Sequence, residues 1–66
     1  MPYATDARRI GDHVAGELQL TFAEAGFWLE ARGAVPISGR AYVDIAPIPA
    51  EVAARLIERV REWAAR

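Results

Sequence analysis

The C-terminal quarter of the chain constrains the fold most. Residues 50–65 contain neither glycine nor proline, and Pro47 and Pro49 stand just before them, so the segment can run as one helix with a sharp start. Val52, Ala53, Leu56, Ile57, Val60, Trp63 and Ala64 recur at helical spacing and form an apolar stripe. Glu51, Arg55, Glu58, Arg59, Arg61, Glu62 and Arg66 occupy the other side. Glu51 with Arg55 and Glu62 with Arg66 stand four apart in the favourable order, each pair contributing about 0.2–0.5 kcal/mol. Such a stripe has to be covered. Leu56, at its centre, is expected to be a core residue whose truncation to alanine costs about 2–5 kcal/mol.

The cover is expected from the middle of the chain, where residues 17–32 support two readings. As a hairpin, Leu18, Leu20 and Phe22 alternate with Gln19, Thr21 and Ala23. After a turn at Gly26, Phe27, Leu29 and Ala31 then alternate with Trp28, Glu30 and Arg32. The rival is a strand followed by a helix that starts at Thr21, with Glu24 completing a capping box, and stops at Gly33. The rival would bury Gly26 inside a helix and set Phe27 between two glutamates, so the hairpin is preferred. A further strand is predicted over 40–46, where Ala41, Val43 and Ile45 alternate with Arg40, Tyr42 and Asp44 between Ser38-Gly39 and Pro47. Thr5 to Ala15 reads as a short helix capped by Thr5, with Ile10 and Val14 facing inward, diluted by Gly11 and Gly16.

Together these elements predict one α+β domain spanning residues 1–66. It is a small (α)βββα two-layer fold, in which an antiparallel three-stranded meander packs on the C-terminal amphipathic helix. The inner layer would set Leu18, Leu20, Phe22, Phe27, Leu29, Val43 and Ile45 against Val52, Leu56, Val60 and Trp63. A chain of 66 residues buries about 60% of its extended surface, so its margin is thin and dimerisation or a tight partner is the expected remedy.

The residue inventory limits the chemistry. Without cysteine there is no thiolate nucleophile, zinc site or disulfide framework. The single histidine, His13, adjoins Asp12, and neighbours in sequence point in different directions, so the two do not form an acid–base pair. No His-x3-His, Asp-x-Asp loop or glycine-rich phosphate cradle is present. No enzyme, no cofactor and no metal are therefore expected. No apolar run approaches the length of a membrane span, and Met1 to Ile10 lack the apolar stretch of a signal peptide. A cytoplasmic protein with no membrane partner is expected.

The predicted order of elements is similar to that of double-stranded RNA-binding domains and of some DNA-binding integrase arms. The resemblance is one of topology. It implies a basic cluster at the start of the last helix, where this chain reads Pro49-Ala50-Glu51-Val52-Ala53-Ala54-Arg55, with an acid in place of lysines. No residue role is carried over. The eight basic residues are all arginine, and nine carboxylates leave a formal charge of −1, without the basic excess that displaces counterions from phosphates. Nucleic acid is the runner-up partner, reached by a small dimeric regulator through Arg32 and Arg40 on the sheet and Arg8 and Arg9 near the start.

Protein recognition is the preferred reading. The outer sheet face would carry Trp28, Tyr42, Arg32, Arg40, Glu30 and Asp44, and Trp, Tyr and Arg are the side chains enriched at interface hot spots. The competing account makes Trp28 a second small core, covered by Tyr3 or Ile10. The expected function is a non-catalytic protein-binding module, an inhibitor or adaptor regulating a larger machine. Phage and mobile-element accessory proteins, such as inhibitors of bacterial defence systems, are the type considered. A second copy could also dock along the C-terminal stripe at Ile57 and Trp63.

Overall fold

A computed structural model describes the backbone of residues 2–66 and the side chains of residues 6–66. Four elements follow in order: helix α1 (Pro2–Glu24), strands β1 (Ala31–Gly33) and β2 (Val43–Ile45), and helix α2 (Ala50–Ala64). The strands pair antiparallel, with Ala31 opposite Ile45, Arg32 opposite Asp44 and Gly33 opposite Val43. The protein is α+β and small. The three-stranded meander is replaced by a two-stranded ribbon, because residues 17–24 belong to α1.

The reason lies in a longer pattern than the alternation of Leu18, Leu20 and Phe22. Ala7, Gly11 and Ala15 are buried and Leu18 and Phe22 half-buried, a stripe at spacings of three and four that runs the length of the helix. Leu, Gln, Ala and Glu dominate residues 17–25, and all favour helix. Ile10 and Val14, expected to face inward, are exposed; the small residues beside them make the contact instead. The predicted cap at Thr5 and the predicted cover from Tyr3 involve side chains outside the described residues.

Helix α1 ends where neither sequence reading put its end. Gly26 takes φ 90°, its N–H donates to the Ala23 carbonyl at 3.0 Å, and the Phe27 N–H donates to the Phe22 carbonyl at 2.8 Å. These two bonds are the Schellman motif, which satisfies carbonyls that the helix leaves open. Phe27 then folds back on Phe22, edge to face with 6.3 Å between ring centroids, the apolar contact that accompanies this cap. A Cβ at position 26 meets nothing within 4 Å, so only the backbone conformation objects to one. Gly26→Ala is therefore expected to cost about 1–2 kcal/mol, read as a lower urea midpoint at unchanged slope.

Ribbon and helix meet at two glycines. A Cβ on Gly11 would lie 2.8 Å from the Tyr42 carbonyl oxygen and 3.4 Å from Gly33 Cα, while one on Gly33 would lie 2.7 Å from the Asp12 nitrogen. The side-chain oxygen of Gln19 accepts a 2.8 Å hydrogen bond from the Ala31 N–H. Hydrogen bonds from Ala46 N–H to Glu30 and from Ala34 N–H to Tyr42 extend the ladder, which leaves Ala31 at a position whose N–H points away from β2. Gln19, expected on the outer face of a strand, thus satisfies the edge of β1. At the ribbon tip Ser38 (φ 52°) and Gly39 (φ 77°) form a two-residue turn closed by paired bonds between Ile37 and Arg40.

Helix α2 starts after Pro49, whose carbonyl accepts from the Val52 and Ala53 N–H groups at 3.0 Å. It does not form the expected second layer. Among the described residues no Cα of α2 comes within 8 Å of a Cα in α1, β1 or β2, and α2 contains no buried residue. The ribbon is covered by α1 instead. The small stripe of α1 fits closely against backbone, whereas the bulky stripe of α2 would stand further off. Leu56 is only half-buried, so the core role expected for it is not the one it has.

Candidate interaction face

Exposure alternates along the first half of the ribbon. Phe27 is buried, Leu29, Ala31 and Gly33 are half-buried, and Trp28, Glu30 and Arg32 are exposed. On the second strand Ala41 and Val43 are half-buried, while Tyr42 and Asp44 are exposed. Because residues directly opposite in a ladder share a face, the pairing of Arg32 with Asp44 places Glu30, Arg32, Tyr42 and Asp44 on the side away from α1, while Trp28, which precedes the ladder, lies beside α1. Ile45, expected inside, is half exposed. Arg40 is exposed at the tip turn, at the other end of the ribbon from Trp28. An extra residue separates it from the regular ladder: Val35 and Pro36 span the stretch that Ala41 spans on the opposite strand.

Trp28 is 81% exposed, so the second small core proposed to cover it, with Ile10 as one candidate, is absent among the described residues. Beside it lies a shallow depression of 410 Å3, floored by Gly16, Gln19, Leu20, Ala23 and Leu29. Leu20 is exposed at its far wall. The tryptophan ring and this leucine, one from the ribbon and one from the back of α1, form an apolar patch bordered by Glu30. Sequence reasoning found Trp28 and missed Leu20, which was assigned to the inner face of a strand that does not form. The signal was available in the helical projection, where Leu20 falls opposite the stripe of Ala7, Gly11 and Ala15.

A second depression, 330 Å3, lies at the open end of the ribbon between Glu30, Arg32, Asp44 and Pro47. Its charged groups are two carboxylates and one guanidinium, which do not make a basic patch. A third, of 260 Å3, separates Phe27 from the polar side of α2, where Arg55, Glu58, Arg59 and Glu62 line it. There the Arg59 guanidinium stands 5.7 Å from the Phe27 ring centroid, and its Nε lies 4.0 Å from Glu62. His13 approaches Glu17 at 4.0 Å on the exposed side of α1.

Among the described residues no three His, Asp or Glu side chains gather closely enough to hold a metal ion. No helix among them is long and apolar enough to cross a membrane. No family model matches the sequence, and no curated protein or solved structure shows significant similarity to it.

Proposed function

We propose that this chain is a small non-catalytic protein-binding module, of the inhibitor or adaptor kind, that engages its partner through Trp28 and the outer face of the ribbon. The observation that supports this most is Trp28 itself. A tryptophan left 81% exposed forgoes roughly 1.5–3 kcal/mol of burial, and it does so next to an exposed leucine over an apolar depression. From this anchor Glu30, Arg32, Asp44 and Tyr42 follow along the ribbon and supply hydrogen-bonding groups of both signs, the kind of polar side chain that borders an apolar contact. The mixed charge of the face, with Glu30 and Asp44 beside Arg32, suits a protein surface better than a phosphate backbone.

The test starts with affinity capture on the wild-type chain, with and without nuclease. Binding is then measured between the purified partner and either wild type or Trp28→Ala. Trp28→Ala is expected to weaken the complex by about 2 kcal/mol or more, roughly 30-fold, while unfolding stability stays within about 0.5 kcal/mol, as for other exposed positions. An unchanged affinity for Trp28→Ala would remove the anchor and the proposal with it. Recovery that vanishes on nuclease treatment would put a nucleic-acid regulator acting through Arg32 and Arg40 in its place.

A further inference from the structure

The chain exposes more surface than a folded chain of its size should. Its accessible area is 5338 Å2, whereas a compact monomer of 7.2 kDa exposes about 4,100 Å2. Its radius of gyration is 14.2 Å, against about 11 Å for a compact domain of this length. The surplus, about 1,200 Å2, exceeds the roughly 800 Å2 that each partner contributes to a stable interface of standard size.

Three of the exposed large hydrophobic side chains, Ile57, Val60 and Trp63, lie on helix α2. Its polar side, with Arg55, Arg59 and Glu62, is the one turned toward Phe27. On the opposite side Ala53, Ile57, Val60 and Ala64 fall within about 60° of arc at 100° per residue, and Ile57 and Val60 are 52% and 47% exposed. In order along the helix these four side chains run small, large, large, small. The sequence of sizes is therefore the same read from either end. A two-fold axis between Ile57 and Val60 would set Ile57 against Val60 of the partner subunit and each Ala53 against an Ala64, an isologous contact in which large meets large and small meets small. Antiparallel helices also oppose their dipoles, and a formal charge of −1 puts little repulsion between copies.

We propose that a second copy of this chain covers the face, docked antiparallel through Ala53, Ile57, Val60 and Ala64 of α2. The site is separate from Trp28, so this proposal and the partner-binding reading fail independently.

Sedimentation equilibrium on the full chain is expected to return twice 7.2 kDa. Ile57→Glu combined with Val60→Glu should weaken self-association by about 100-fold or more, since it places unpaired carboxylates in a desolvated seam. A wild-type chain that stays monomeric across the concentration range overturns the proposal, as does a dimer that survives both glutamates.

Disulfide trapping tests the arrangement without disturbing the large residues, and the chain has no cysteine of its own. Ala53→Cys mixed with Ala64→Cys should give the crossed disulfide, while either alone should not cross-link. In the antiparallel pair two copies of position 53 lie about 16 Å apart along the axis, beyond disulfide reach. Rapid self-linking of Ala53→Cys would show a parallel pair and overturn the arrangement.

Discussion

Gly33→Ala is expected to destabilise the protein by about 3 kcal/mol, at the upper end of what one added methyl does in a packed site. The new Cβ would fall against the Asp12 carboxylate, 2.7 Å from the Asp12 backbone nitrogen and 2.9 Å from the Gly11 carbonyl carbon. Two of those three are main-chain atoms of α1, so no rotamer change relieves the contact and the helix must move off the ribbon. That motion would also strain the bond from the Ala31 N–H to Gln19. A domain of this length is stable by only about 3–10 kcal/mol, which makes the loss a large share of the whole. Gly16→Ala is the control. It lies in the same helix with nothing within 4 Å of an added Cβ, and it should gain about 0.5–1 kcal/mol from helix propensity and a less flexible unfolded chain. Urea titrations of the two variants should shift in opposite directions from wild type. Equal shifts would mean that α1 does not dock on Gly33.

Phe27→Ala is expected to be worse, at about 3–5 kcal/mol. Phe27 is 6% exposed and the only large hydrophobic side chain among the described residues that is buried. Three contacts converge on it: the end of α1 through Phe22, the start of the ribbon, and α2 through Arg59. The edge-to-face ring pair adds about 0.5–1.5 kcal/mol beyond area, and the guanidinium contact about 0.5–1 kcal/mol. Removing the ring should leave a chain that is substantially unfolded at room temperature, visible as lost helical ellipticity and a broad thermal transition. Phe27→Leu, which keeps most of the apolar volume, should recover the greater part. If Phe27→Ala retained a sharp transition within 1 kcal/mol of wild type, the core would have to lie elsewhere.

The missing third strand and the misplaced end of α1 have one physical origin. Leu18, Leu20 and Phe22 satisfy a period of two over five residues, while Leu18 and Phe22 join Ala7, Gly11 and Ala15 in a helical period over sixteen. The shorter match misleads because Gly11, which weakens a helix by propensity, is here part of its contact surface. Gly26 likewise fits a hairpin turn. Its place four residues after Phe22 and just before Phe27 is also the spacing of a glycine-ended helix whose flanking aromatics touch. Where the period was unambiguous the reading stood, as in α2 over 50–64 and in the alternation from Phe27 to Arg32.

What the sequence determined by itself was therefore local: the C-terminal helix, the turn at Ser38-Gly39, and the alternation that exposes Trp28, Glu30 and Arg32. These follow from backbone preferences and side-chain period, which act over a few residues. Which helix covers the ribbon was decided only in the tertiary structure. Two amphipathic segments were available, and the choice turned on how closely each can approach a backbone. The stripe of Ala7, Gly11 and Ala15 lets α1 reach Gly33 and Tyr42, and Gln19 then satisfies the strand edge. The bulky stripe of α2 has no such fit on the ribbon: Val52 and Leu56 are half-buried, and Ile57, Val60 and Trp63 are left exposed.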